Sequence, residues 1–81
     1  MTDMTNLDYP IPIGIAELAI WDVELEQLSP GRADLDYRYG ALRAHAAALH
    51  RLGVIDEAEH HERIELADAA YAYAVDARQD R

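Results

Sequence analysis

Apolar residues recur along most of this chain at alternating steps of four and three, the spacing of one face of an α-helix. In the first segment, this face consists of Gly14, Leu18, Trp21, Leu25 and Leu28. The preceding stretch, LDYPIPIG, contains two prolines, which favour an extended backbone and are tolerated in a helix only near its start. The pattern predicts an extended arm over residues 1–12 and a first helix over residues 13–28.

The second segment has the same spacing and predicts a helix over residues 32–52. Its apolar face consists of Leu35, Tyr39, Leu42, Ala46, Leu49 and Leu52. Two starts fit this helix. Ser29 precedes Pro30, a residue that suits the first helical position, whereas Asp34 is a good N-cap residue. The sequence leaves both starts open.

The end of the second helix is strongly marked. Gly53 can adopt the left-handed conformation that ends a helix, and Val54 would then contact Leu49, as in a Schellman motif. Asp56 follows as an N-cap, and Glu59, three residues on, can complete a capping-box-like pair. So short a connection predicts an antiparallel hairpin with a third helix over residues 56–77.

The three segments together predict an all-α fold, a small three-helix bundle in a single domain over residues 1–81. The inner face of the third helix consists of Ile64, Ala67, Tyr71, Ala74 and Val75. Its last turn is expected to fray in the sequence DARQDR.

The charge of the chain is strongly negative and unevenly distributed. Sixteen acidic residues oppose seven arginines, for a net charge of −9 over 81 residues. Residues 1–31 carry six acids and no base, residues 32–53 have a net charge of +2, and residues 54–81 have −5. This order suggests that the middle segment lies between the other two. The overall negative field disfavours direct binding to nucleic acid or to an anionic membrane.

Several residue types that carry chemistry are missing. The chain has no cysteine, no run of about 18 apolar residues and no signal-peptide pattern at its start, so we expect a soluble, cytoplasmic protein. It has no glycine-rich phosphate loop, and its few serine and threonine hydroxyls are distant in sequence from histidine. We therefore expect no enzymatic activity and no cofactor.

The stretch DEAEHHERIE at residues 56–65 is the one place that resembles a metal site. Glu57 and His60 have the spacing that di-iron bundles use, but such sites need two of these motifs and two further glutamates. His61 and Glu65, four residues apart, could form a surface chelate. The alternative is an acidic helix start with His60 at the boundary with the second helix. We favour this alternative and expect no metal.

The first and third helices have more apolar surface than one face requires. Helices that are apolar on two sides are normally covered on both, and large exposed apolar patches mark interfaces. The cover could be the N-terminal arm, a partner protein or a second copy, and we favour a partner or a homodimer. The predicted interface residues are Ala16, Ala19, Ile20, Val23, Leu66 and Tyr73.

These features predict a non-enzymatic protein-binding module. An acidic surface could replace the phosphates of a nucleic acid; its predicted members are Asp22, Glu24, Glu26, Glu59, Glu62, Glu65 and Asp68. In size, acidity and lack of catalytic groups the chain is similar to the anti-restriction and anti-CRISPR inhibitors of mobile elements, which implies an inhibitor, or DNA mimic, that acts on a nucleic-acid-binding protein. The alternatives are a homodimeric accessory protein whose acids only maintain solubility, and a metal-binding helical protein that uses Glu57, His60 and His61.

Overall fold

Three α-helices account for most of residues 13–79, the part of the chain that a computed structural model describes. They are α1 (Ile13–Glu26), α2 (Leu35–Arg51) and α3 (Glu57–Gln79), and no strand occurs between residues 13 and 79. The predicted all-α three-helix bundle is confirmed. The predicted arm, residues 1–12, lies outside the described residues.

α1 ends at Glu26 rather than at residue 28, because its last turn tightens. The N–H groups of Gln27 and Leu28 donate to the carbonyls of Glu24 and Leu25, both at 3.1 Å. Such three-residue bonds satisfy carbonyls at a helix end and stop the α-helical pattern. Gly31 then has a φ of +89°, a left-handed conformation that redirects the chain towards α2.

Asp34 marks the start of α2, and the alternative start at Ser29–Pro30 is wrong. The Arg38 N–H donates to the Asp34 carbonyl at 3.0 Å. The Asp34 carboxylate makes no side-chain cap. It accepts hydrogen bonds instead from Nε of Arg32 at 3.0 Å and Nε of Arg38 at 2.8 Å. The hydrogen bond from Arg32 is the main reason that the pKa of this carboxyl is lowered.

The α2–α3 turn has the predicted Schellman geometry. Gly53 has a φ of +80°, and its N–H donates to the His50 carbonyl at 3.0 Å. The Val54 N–H donates to the Leu49 carbonyl at 2.9 Å, which completes the motif. Leu52 is the C-cap residue and is 77% exposed, so its predicted place on the inner face is wrong.

The start of α3 carries half of the predicted capping box. Oδ1 of Asp56 accepts the N–H of Glu59 at 2.8 Å, which satisfies one of the free donors of the first turn. The Glu59 carboxylate bonds to Arg63. The helix begins at Glu57, one residue after the predicted position, and continues to Gln79.

α2 lies between the other helices and runs antiparallel to both, in agreement with the charge order of the sequence. Trp21 of α1 is fully buried at the centre, and its Nε1–H donates to the Leu42 carbonyl of α2 at 3.0 Å. Ala46, Ala67 and Ala74 are also fully buried. These small side chains belong to the same core cluster as Trp21.

The register of α2 against α3 is marked by a reciprocal pair of hydrogen bonds. The Tyr39 hydroxyl donates to Asp68 at 2.5 Å, and the Tyr71 hydroxyl donates to Asp36 at 2.6 Å. The two tyrosine rings stack with their centroids 4.2 Å apart. Each helix therefore supplies an aspartate and, three residues later, a tyrosine, an arrangement that fits only one antiparallel register.

Candidate protein-binding surface

The side of α1 that faces away from α2 and α3 is an exposed apolar stripe. Its large members are Ile15, Ile20 and Val23, which are 59%, 47% and 54% exposed. Ala16 and Ala19 lie between them and are also exposed. The five positions follow one another at alternating steps of one and three along the sequence, so they share one face of the helix. We call this set the α1 outer face.

The stripe exists because α1 is apolar on both sides. Its inner side supplies Trp21 to the core, Leu18 and Leu25 are partly buried, and Leu28, two residues after the helix, is buried as well. Gly14 packs so closely on the α2–α3 turn that a Cβ atom there would lie 3.2 Å from Val54. The inner side is thus fully used by the bundle, and the α1 outer face is left without cover among the described residues.

The predicted interface residues of α3 are exposed as well, but they do not all adjoin α1. Leu66 lines a cleft of about 210 Å³ between α1 and α3, together with Asp22, Glu59, Glu62 and Arg63. Tyr73 lies outside this cleft. All six predicted residues are therefore exposed, and their role in an interface stays a prediction.

Arg63 forms the charged centre of the cleft. Its guanidinium lies 4.9 Å from the centroid of the Trp21 ring. It also bonds to Asp22 of α1 at 3.2 Å and to Glu59 of α3 at 3.0 Å. The arginine thereby joins the two outer helices across the buried indole and neutralises part of the surrounding acid.

Most of the predicted acidic surface is engaged within the chain. Asp22 and Glu59 bond to Arg63, and Asp68 accepts from Tyr39. Glu65 pairs with His61 at 3.1 Å. Glu26 and Glu62 are exposed, and no ion pair to either is found among the described residues. The Glu24 carboxylate contacts His45 of α2 but its side chain is 40% exposed, and its place in an acidic surface stays a prediction.

The histidines of α3 have the structural roles that the favoured interpretation gave them. The His60 ring stacks on His50 of α2 with their centroids 4.8 Å apart, which places it at the helix boundary. His61 and Glu65 form an exposed pair one turn apart. Between residues 13 and 79, no three possible ligands are grouped so that they could hold a metal ion.

A cluster of three polar side chains between α1 and α2 was not predicted from the sequence. Nδ1 of His45 lies 2.9 Å from Oε1 of Glu24, and Nε2 lies 2.8 Å from Oε1 of Glu17. The signal was present: Glu17, Trp21, Glu24 and Leu28 follow the same four-three spacing as the core face.

Comparisons with models of known protein families, with curated proteins and with solved structures found no match to this chain. Each helix within residues 13–79 is too short or too polar to cross a lipid bilayer. The indications of function in this protein are therefore its exposed apolar and charged residues.

Proposed function

We propose that this protein is a non-enzymatic binding module that docks on a partner protein through the α1 outer face. The observation that carries this proposal is the uninterrupted apolar stripe on a helix whose other side is already packed. An apolar stripe on both sides of one helix is typical of a helix that is covered on both sides. The residues proposed to enter the interface are Ile15, Ala16, Ala19, Ile20 and Val23.

The cavities of the structure support a binding role over a catalytic one. Two clefts among the described residues have volumes of about 210 and 200 Å³. Ligand pockets usually have volumes of about 300–1,000 Å³. The first cleft is lined by Leu66 and Glu62 and by Arg63, Asp22 and Glu59, of which Arg63 already bonds to both acids. No step of a reaction is suggested by this arrangement.

The partner that fits this surface is a basic protein. The α1 outer face is bordered by Asp22 and Glu26, and the chain has a net charge of −9. On α3, Glu62 and Glu65 are exposed close to the cleft that adjoins α1. A basic surface with an apolar centre would match both features, and such surfaces are common in nucleic-acid-binding proteins. We propose that the module inhibits a protein of this class by occupying its nucleic-acid site.

A capture experiment with matched variants tests this proposal. The immobilised protein is incubated with an extract of cells that naturally contain it, and captured proteins are assayed for binding to DNA and RNA. We expect a basic protein to be retained, to be released by added nucleic acid, and to be held more weakly as salt rises from about 0.05 to 0.3 M.

The variants identify the surface that is responsible. The double variant Ile20→Lys/Val23→Lys should lose capture, because it places charge in the centre of the apolar stripe. The control Ala41→Lys/Ala44→Lys adds the same charge at the same spacing on exposed positions of α2 and should retain it. Equal capture by both variants would exclude the α1 outer face, and capture that nucleic acid does not displace would exclude mimicry.

A second copy of the chain is the alternative occupant of the α1 outer face. The stripe contains no charged residue, so it could pair with itself across a two-fold axis. The net charge of −9 opposes such self-association, since like charges would be brought together. For this reason we propose the homodimer only as the second possibility. Light scattering of the protein in solution, which gives its oligomeric state, tests it.

A further inference from the structure

The cluster formed by Glu17, His45 and Glu24 connects the middle of α2 to two successive turns of α1. The two glutamates are seven residues apart on one face of α1, and the imidazole of His45 lies between them. The His45 side chain is only 19% exposed, whereas the carboxylates are about twice as exposed at 41% and 40%. Partial burial of the ring reduces the screening of its interactions by water.

The positions of the two carboxylates favour a His45 ring that is protonated on both nitrogens. Glu17 and Glu24 can only accept hydrogen bonds when they are ionised, and each faces a different ring nitrogen of His45. A neutral imidazole has one N–H, so one nitrogen lone pair would face a carboxylate oxygen at less than 3 Å. An imidazolium donates from both nitrogens and satisfies both carboxylates.

We propose that protonated His45 is a pH-sensitive latch that holds α1 on α2, and that its deprotonation as the pH rises loosens α1 from the bundle. The titration is governed by few groups. Among the described residues, Glu24 and Glu17 of α1 are the groups whose hydrogen bonds and charges raise the pKa of the ring. Histidine is the side-chain type that ordinarily changes its charge near neutral pH, so the ring is the group on which the proposal depends.

The direction of the effect follows from the environment of the ring. Burial by itself favours neutral His45, but the hydrogen bonds and negative charges of Glu24 and Glu17 outweigh burial and raise its pKa. A histidine whose pKa is higher in the folded state than in the unfolded state stabilises the fold fully below about pH 6.5. This stabilisation is lost as the pH rises through the folded value.

Loss of the latch would act on the helix that carries the proposed docking surface. α1 is also held to the bundle by the Trp21–Leu42 hydrogen bond, by the Asp22–Arg63 pair and by the contact of Arg63 with the Trp21 ring. The consequence for partner binding rests on the proposed function, whereas the latch itself does not. The test therefore uses the isolated protein, so that failure of the latch is distinguishable from failure of the proposed partner.

Two measurements on the full chain test the latch. NMR titration of the four histidines gives the midpoint of each ring, and the fluorescence of Trp21, the single tryptophan, reports the packing of α1. We expect His45 to titrate at higher pH than in urea-unfolded protein, with both nitrogens protonated at pH 6. The Trp21 emission should shift to longer wavelength over the same pH range as the His45 titration.

Variants separate the latch from simple packing. Glu17→Gln and Glu24→Gln should each lower the His45 midpoint, and His45→Gln should abolish the pH-dependent shift of Trp21 emission while far-UV circular dichroism stays helical. His61→Gln, which alters an exposed pair on α3, should leave both signals unchanged. A His45 midpoint at or below the unfolded value would overturn the proposal. A raised midpoint with constant Trp21 emission would overturn it equally, because the ring would then titrate without loosening α1.

Discussion

At the scale of single residues, the two helix starts that follow an aspartate differ in what the carboxylate does. Asp56 caps the N–H of Glu59 at 2.8 Å, whereas the Asp34 carboxylate bonds to Arg32 and Arg38. Asp56→Ala should lower the free energy of unfolding by about 1 kcal/mol, the usual cost of a lost N-cap. Urea denaturation measures the change. Asp34→Ala should have a smaller effect, and the reverse order would contradict the assignment of the caps.

The glycines also differ in what they require of the backbone. Gly53 has a φ of +80°, so Gly53→Ala should destabilise the protein by about 1 kcal/mol, the cost of a left-handed conformation for a residue with a Cβ atom. Gly40 lies inside α2 with open space around its Cα. Gly40→Ala should therefore stabilise the protein by about 0.5–1 kcal/mol. Thermal unfolding of both variants tests the pair, and a stabilising Gly53→Ala would contradict the turn geometry.

At the scale of helices, the parts that were predicted correctly are those specified within a few neighbouring residues. The Gly53 turn and the inner faces of the helices depend on local backbone preference and on four-three spacing. The start of α2 was left open because Ser29–Pro30 and Asp34 are both good local signals. The choice follows from Gly31, whose left-handed conformation separates the loop from the helix.

What the sequence did not reveal depends on which helices meet. Glu17 and Glu24 have the spacing of a core face, but a polar residue on such a face has no evident partner until α2 is placed beside it. The same holds for Arg63, which pairs with Asp22 and lies over Trp21, both 41 or more residues away in sequence but adjacent in the bundle. Local patterns carry no information about such contacts.

The reciprocal tyrosine–aspartate bonds give a prediction for the α2–α3 pairing. Tyr39→Phe keeps the ring stacked on Tyr71 but removes the hydroxyl that donates to Asp68. We expect a loss of about 1 kcal/mol in the free energy of unfolding, as is typical of one side-chain hydrogen bond. Tyr37→Phe is the matched control, because Tyr37 is 77% exposed and should be unaffected. Equal stability of both variants would show that the bond contributes nothing to the pairing.

At the scale of the whole molecule, the fold is built so that α2 is covered on two sides and α1 on one. Arg63 of α3 contacts both Asp22 and Trp21 of α1, and the buried alanines of α2 and α3 share one core cluster with Trp21. A chain of 81 residues buries only a modest part of its surface in one core. The single core does not cover the α1 outer face, which stays exposed as an apolar stripe that a partner could bind.

The last prediction tests whether that stripe belongs to the surface of one molecule or to its interior. In Ile20→Lys/Val23→Lys, the lysines reach water if the α1 outer face is exposed, and the melting temperature should stay within about 10 °C of the parent. If the face is covered within the same chain, the unpaired charges would be buried at a cost of several kcal/mol, comparable to the stability of a small domain.

Thermal melting together with light scattering separates these outcomes, with Ala41→Lys/Ala44→Lys as the control for added charge. A parent that is dimeric and a double variant that is monomeric, with similar melts, would identify a second copy as the occupant of the α1 outer face. Monomers in both cases, with similar melts, would leave the face free for a different protein. A melting temperature that falls far more in this double variant than in the control would place Ile20 and Val23 in the interior. The surplus apolar surface of α1 would then be covered within one chain, and the basis for a partner on α1 would be removed.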